Sequence, residues 1–375
     1  MNSLNTIDER YSRQLILKDF GEAGQQALHE AKVLMVGAGG LGCSALQYLV
    51  AAGVGTIGIV DDDVISLSNL HRQTLYSTGD IGLPKALKAK QKLHLLNPGI
   101  NITAYNERLT TNNALQIFET YDVIIDGTDN FASRYLINDA CVLANKPLVY
   151  GAVSQFEGQV AVFNYKKSIE DIAVNYRDLF PNPPEEDSVL NCAEAGVLGV
   201  LPGIIGAMQA NEAIKLITGI GKPLVNAILT YDALSGQVYT IELSVNEISK
   251  SLVPVDAAAF SKMKYEQLCR TVPDGVEIDT KMFDRLIKND RTSVIDIREY
   301  GEVPVVNDFV YSRVPLSELR GKIDGIKNND IILFCQSGKR SLQAAKLLLD
   351  TFGTSKNVYS LKGGIIQWMK EHQVV

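Results

Sequence analysis

The chain has 375 residues, 36 of them basic and 43 acidic, for a net charge of −7; this length exceeds one ordinary core and suits a catalytic unit with an appended module. The negative balance argues against a phosphate-backbone partner, so no nucleic acid is expected. No basic, apolar leader opens the sequence, and the two longest apolar stretches are broken by glycines or by Pro202, which predicts a cytoplasmic protein with no membrane span.

In chain order, Lys32–Val36 reads as a short apolar strand, Gly37–Gly42 as a glycine turn, Cys43–Ala52 as a helix and Thr56–Asp61 as a second strand ending in acid. That is one βαβ unit. Short apolar strands recur at Tyr121–Asp126 and Lys146–Tyr150, so the expected fold class is α/β, a Rossmann-like, doubly wound, mostly parallel sheet. The polar run Lys166–Val189, with Pro181, Pro183 and Pro184, is expected to be a mobile loop, and the apolar run Ala195–Ala210 a core helix. Alternation from Ile228 to Leu243 predicts an antiparallel extension of the sheet. Periodicity then lapses, which places a first domain at 1–248, a linker at 249–264 and a smaller α/β domain at 265–375. The second domain is marked by strands at Ser293–Ile297 and Ile331–Cys335, a helix after Ser341, and Val358–Leu361 ahead of Gly363-Gly364.

Gly37, Gly39 and Gly42 fit G-x-G-x-x-G, with Gly40 inside the motif, and Asp61 ends the following strand. Glycine allows a tight turn and close approach of phosphate, the helix N-terminus favours an anion, and the acid can bond ribose hydroxyls. The motif predicts a nucleotide site but leaves open both an NAD(P)-binding oxidoreductase and an adenylating enzyme. Arg13, Arg72 and Lys85, with the neutral donors Asn69 and Gln73, are spread around an Asp61-Asp62-Asp63 turn, and the three cations supply the positive charge a triphosphate needs. Asp129 reads either as the cap of the following helix or as a hard oxygen ligand for magnesium. The five cysteines form an odd, scattered set without a Cys-x-x-Cys pair, so no disulfide framework follows. Cys335-Gln336-Ser337-Gly338-Lys339-Arg340 is different: a loop of that shape aims backbone N–H groups and two cations at the sulfur and favours thiolate. Cys43 and Cys141 are expected in the core, Cys269 has no motif around it, and the four histidines lack metal-ligand spacing.

Together with Asp126-Gly-Thr-Asp129-Asn130 and Asn191-Cys192-Ala-Glu194-Ala-Gly196, these segments resemble the adenylyltransferase family that includes MoeB, ThiF and the adenylation halves of ubiquitin-activating enzymes, over residues 4–245. The resemblance implies that Asp61, Asn69, Arg72 and Lys85 contact ATP, that Asp129 helps hold Mg2+, and that Arg13 reaches the nucleotide of the other subunit of a homodimer. It also implies a role for Cys192 in a thioester or acyl-disulfide. Many members hold a structural zinc with two Cys-x-x-Cys pairs; Tyr165–Ile172 and Leu243–Lys250 contain no cysteine, so no structural zinc is expected and direct packing must close that end of the domain. The Cys335 loop, with Asp296-Ile-Arg298-Glu299 and Gly363-Gly364-x-x-x-Trp368, resembles single-domain rhodaneses over residues 265–375. The two resemblances imply ATP-dependent adenylation of the C-terminal carboxylate of a ubiquitin-like sulfur-carrier protein ending Gly-Gly, of the molybdopterin-synthase or the thiamine type. Sulfur from a Cys335 persulfide, loaded by a cysteine desulfurase or a small thiol donor, would then give a thiocarboxylate. A noncatalytic nucleotide-binding scaffold for such a partner is the remaining alternative.

Overall fold

The computed structural model describes residues 3–166, 173–183, 196–265, 275–289 and 291–372. The chain divides into two compact units, the first reaching Cys269 and the second running from Arg270.

The first unit is built on eight strands: β1 (Lys32–Val36), β2 (Thr56–Val60), β3 (Asn101–Tyr105), β4 (Val123–Asp126), β5 (Leu148–Ser154), β6 (Glu157–Phe163), β7 (Ala227–Asp232) and β8 (Val238–Glu242). They lie in the order β3-β2-β1-β4-β5-β6-β7-β8. The first five run parallel and the last three pair antiparallel. Strand pleating sends alternate residues to opposite faces, and both faces of β1 are covered. Val33 and Met35 pack with Leu46, Leu49 and Ala210 from the helices Gly40–Ala52 and Leu201–Thr218. Leu34 and Val36 pack with Ile137 and Cys141 from the helix Phe131–Ala144. A near-continuous apolar run is what a strand buried on both faces requires, and this is why the short apolar segments were readable as strands.

Three segments differ from expectation. The core helix begins at Leu201, not near Ala195, because Pro202 sits in its first turn, where a missing N–H costs nothing. Within the run expected to be mobile, residues 173–183 are described and ordered: Tyr176–Leu179 form a helical turn capped by Asn175. Arg177 there makes a two-pronged ion pair with buried Asp139, at 2.8 and 2.7 Å, and Tyr265 Oη donates to the same carboxylate at 2.7 Å. The rest of that run, 167–172 and 184–189, lies outside the described residues. The stretch 249–264 contains the helix Ala257–Ser261, and Phe260 is fully buried with Tyr265 in the core of the first unit.

Hydrogen bonds link the Tyr176–Leu179 turn to the segments that flank β7 and β8. Asp178 Oδ1 accepts from Asn246 N at 2.7 Å and from Ser249 Oγ, and Asn226 Oδ1 accepts from Val174 N at 3.1 Å. These bonds tie residues 174–178 to the strands and the turn beyond them.

The second unit has five parallel strands, β9 (Glu277–Ile278), β10 (Thr292–Asp296), β11 (Ser312–Arg313), β12 (Asp330–Phe334) and β13 (Asn357–Leu361), ordered β11-β10-β12-β13-β9. Asp296 and Arg298 are fully buried; the guanidinium meets both carboxylate oxygens, and Arg313 meets one of them as well. No helix among the described residues is long and apolar enough to cross a membrane.

Candidate active sites

In an open α/β sheet, ligands settle at the carboxyl ends of the strands where the winding reverses. Here that point lies between β1 and β4. Gly37 leaves β1 with φ +93°, and a Cβ there would stand 2.8 Å from the Gly127 carbonyl that follows β4. At Gly42 a Cβ would overlap the Gly37 carbonyl at 2.0 Å, so the helix can meet the turn only through glycine.

A cleft of about 370 Å³ opens over this turn, lined by Gly37, Gly39, Gly40, Asp61, Arg72, Gln73, Lys85 and Asp129 among others. The folded chain thus brings residues 37 and 129 to one place. Asp61 braces the turn: Oδ2 accepts from Ala38 N at 2.7 Å and Oδ1 from Asp63 N at 2.9 Å. Burial pushes its carboxyl above the ordinary range, with Lys85 and these two N–H groups pulling the other way. Lys85, only 5 % exposed, directs Nζ to Asp63 Oδ2 at 2.8 Å. Arg72 donates from Nη1 to Ser68 O at 3.1 Å and to His71 Nε2 at 2.7 Å.

The cap of the helix Phe131–Ala144 is Asn130, whose Oδ1 accepts from Ser133 N at 2.9 Å. Asp129 is therefore released from capping and stands exposed in the cleft. Three of the residues expected in the site do not line the cleft: Asn69, Arg13 and Gly42. Asn69 uses Oδ1 to accept from Ser66 N at 3.3 Å and so folds the Leu67–Asn69 turn. Arg13 is exposed on the helix Ser3–Leu15. Gly42 lies beneath the cleft, and Cys192 and Cys269 fall outside the described residues.

The cleft also contains residues that sequence reasoning did not single out. Arg134 is buried beside the rings of Phe131 and Tyr150, with its guanidinium carbon 5.3 and 5.7 Å from their centroids. Its charge opposes the rise that complete burial imposes on Asp126. Asp126 Oδ1 accepts from Thr128 N and Oγ1 at 2.8 and 2.7 Å, whereas Oδ2 has no hydrogen-bond partner among the described residues. Glu107 and Arg108, on the loop after β3, complete the rim. The one available signal for Arg134 was its position four residues after Asn130, which places both at the same end of one helix.

In the second unit Cys335 follows the central strand β12. Gly338 N donates to its Sγ at 3.1 Å, and Ser341 Oγ lies 3.7 Å from the sulfur. Ser341 also donates to Gly338 O at 2.9 Å and accepts from Ser360 Oγ at 2.8 Å, so a buried pair of hydroxyls stands behind the thiol. Gly338 has φ +92°, and the Gly363-Gly364 turn locks the loop through Ile365 N to Cys335 O at 2.8 Å. Cys335 itself is 1 % exposed. Arg340 does not stand free beside the sulfur as its place in the loop suggested; it forks onto both oxygens of Glu302 at 2.6 Å each. Cys43 and Cys141 are core residues, and burial pushes the Cys43 thiol up to about 12. Among the described residues no cluster of His, Cys, Asp and Glu forms a metal site by itself.

A glycine turn at the switch point of a doubly wound sheet, faced by Arg72, Lys85 and Asp129, defines a nucleotide-binding α/β enzyme, and the Cys335 loop on a second parallel sheet adds a sulfur-handling unit. Residues 11–251 match the ThiF family and residues 279–371 the rhodanese-like domain; the chain belongs to the ThiF family, carries a C-terminal rhodanese-like domain, and is an adenylyltransferase with sulfurtransferase activity. It is 41 % identical to the probable adenylyltransferase/sulfurtransferase MoeZ of Mycobacterium tuberculosis, over 97 % of this chain and 93 % of that protein. It is 35 % identical to the adenylyltransferase and sulfurtransferase MOCS3 of Xenopus laevis, over 96 % and 85 %. A sulfur carrier protein adenylyltransferase of Thermus thermophilus is 54 % identical over 60 % of this chain and 83 % of its own length. Among solved structures, the fold is shared with Escherichia coli MccB at a TM-score of 0.57 and 22 % identity, over 64 % of this chain and 72 % of that one.

Proposed function

We propose that this chain adenylates the C-terminal carboxylate of a ubiquitin-like sulfur-carrier protein ending Gly-Gly and then delivers sulfur from a persulfide on Cys335. The observation that carries the reading is the gathering of the glycine turn, Arg72, Lys85 and Asp129 on one cleft. A carboxylate is a poor electrophile, and joining it to the α-phosphate of ATP releases pyrophosphate and gives a mixed anhydride from which AMP departs readily. Negative charge builds on the phosphates in that step, and Arg72 and Lys85 neutralise and position it. Gly37 N and Ala38 N are engaged within the protein, so it is the N-terminus of the helix Gly40–Ala52 that faces the phosphates, and Asp61 faces the ribose.

Asp129, a hard oxygen donor freed from capping, fits a magnesium ion, which would bridge and neutralise phosphate oxygens when bound. Arg13, exposed and outside its own chain's cleft, suits a cation offered to the second subunit of a homodimer. Cys192 is assigned a covalent link to the carrier during sulfur transfer, and Asn69 acts on the nucleotide through the turn that it folds. Because Cys335 is 1 % exposed, residues 336–339 must part to admit a donor. A cysteine desulfurase or a small thiol supplies the sulfur. The carrier is of the molybdopterin-synthase type, with a thiamine-type carrier as the second choice, and the reaction belongs in the cytoplasm. The Thermus relative, named for action on a sulfur carrier, supports this reading, and the family assignment removes hydride transfer from the alternatives.

The test is to mix the chain with ATP, magnesium and each purified carrier and look for an AMP-linked carrier and released pyrophosphate. If no carrier from the same cell acquires AMP, the adenylation reading fails. If Cys335→Ala still makes thiocarboxylate from the same sulfur donor, the persulfide reading fails.

A further inference from the structure

Arg72 is a long side chain on which the proposed chemistry depends, and its guanidinium must be held in one pose to meet a triphosphate. Two acceptors of its own turn hold it. Nη1 donates to the Ser68 carbonyl at 3.1 Å and meets His71 Nε2 at 2.7 Å. An arginine has no acceptor atom, so the imidazole must offer the Nε2 lone pair and carry its proton on Nδ1. The turn beneath is itself fixed: Arg72 N and Gln73 N both donate to Asn69 O, at 3.1 and 3.0 Å, and Asn69 Oδ1 accepts from Ser66 N at 3.3 Å. The arginine stem passes Gly40, the first residue of the helix under the cleft, where a Cβ would stand 3.5 Å from Arg72 Cγ. The other edge of the imidazole meets the segment ahead of the Leu201–Thr218 helix, where a Cβ at Gly199 would stand 3.0 Å from His71 Nδ1 and 2.6 Å from His71 O. Gln155 pins that segment: its N–H donates to Gly196 O at 3.0 Å and its carbonyl accepts from Leu198 N at 2.9 Å. The histidine is exposed, yet it is seated between a tied segment and the cation.

Resting on the reading of this cleft as an adenylation site, we infer that His71 is a positioning residue for that reaction: by accepting from Arg72 Nη1 it holds the guanidinium in the pose that meets the phosphates of ATP, and only the neutral imidazole does so. A protonated ring has no lone pair to offer and sets a second positive charge against the guanidinium. The ionisable groups around this contact are Arg72 on the same turn and, in the cleft that Arg72 lines, the Asp61–Asp63 turn, Lys85, Glu107, Arg108, Asp129 and Arg134. The segment 196–200 packed against the ring, Gly-Val-Leu-Gly-Val, brings none. All of these groups are present in every His71 variant, so a comparison between variants isolates the imidazole. Glutamine keeps an acceptor oxygen at a similar reach and takes up no proton, whereas leucine keeps the bulk and offers no acceptor.

The experiment measures ATP–pyrophosphate exchange by the full chain with each purified sulfur carrier ending Gly-Gly, at saturating ATP across the range in which imidazoles take up a proton. ATP affinity is measured beside it by calorimetry, which needs no carrier. At the alkaline end His71→Leu is expected to lower the exchange rate about tenfold, the worth of one hydrogen bond to a charged group, and His71→Gln to restore it to within about twofold of the unaltered chain. Toward the acid end the rate of the unaltered chain relative to His71→Gln is expected to drop about tenfold. Because the histidine acts through Arg72, His71→Leu should cost nothing further in an Arg72→Ala background. The inference is overturned if His71→Leu matches the unaltered chain, if glutamine fails to restore the rate, or if the ratio of the unaltered chain to His71→Gln stays flat with pH, as a merely structural histidine would leave it. If no carrier supports exchange, the adenylation reading fails and ATP affinity decides the positioning role: His71→Leu is expected to weaken it about fivefold and His71→Gln to leave it unchanged, and equal affinities overturn it.

Discussion

At the scale of single residues, Lys85 and Glu302 show how a charge is set by what it faces. The Lys85 ammonium is buried, yet its partner Asp63 is 70 % exposed, so the amine points outward to the mouth of the cleft. Lys85→Ala should remove about 3 kcal/mol of transition-state stabilisation, roughly a hundredfold in rate. ATP–pyrophosphate exchange measures it, and a loss under about threefold would take Lys85 out of the chemistry. Glu302 makes a prediction about pH. Its carboxyl falls from the ordinary 4.5 to about 2 because Arg340 donates to it. A group depressed in the folded state stabilises fully above its unfolded value and loses that contribution as pH falls through its folded one. Thermal melts of the unaltered chain and Glu302→Gln should therefore differ most above about pH 5 and converge between about pH 4.5 and 2. A gap that does not change with pH would contradict the pairing.

At the scale of elements, the described part of the 166–189 run carries one buried ion pair among the bonds that hold it. Arg177 and Asp139 are each almost wholly buried, and Tyr265 shares the carboxylate. Asp139→Ala leaves a guanidinium uncompensated in the core and should cost about 3–5 kcal/mol in denaturant unfolding. A change below about 1 kcal/mol would show the turn is held by its aromatic packing instead. This contact also shows where sequence reading stops. The βαβ unit and its glycine turn were legible because strand, turn and helix signals are local and agree. Residues 173–180 read as loop because their composition is polar, while what orders them lies 38 residues back, at Asp139. Glu302 was missed for the same reason, since its partner is 38 residues on. Pro202 marked an apolar run that was readable as helix, but its role as a starter set the boundary several residues later than the hydrophobic run suggests.

At the scale of the whole molecule, each unit has its own apolar cores, and family membership extends over nearly all of the MoeZ relative. The proposed homodimer makes a complementation test possible. If Arg13 serves the partner's cleft, Arg13→Ala and Lys85→Ala chains mixed and allowed to exchange subunits should recover about a quarter of the unaltered activity, because half of the dimers then hold one complete site. Recovery no greater than the sum of the two variants would contradict the reading that Arg13 serves the partner's cleft. The Asp63 carboxylate on Lys85 carries a consequence for every turnover. On the proposed reaction it is a built-in rival for the ammonium, which an arriving polyphosphate would evict and which would reclaim its seat once the nucleotide has lost its outer phosphates. On that reading the cleft would part more easily with AMP than with ATP, and shedding the spent nucleotide would be assisted by the fold and not left to diffusion alone.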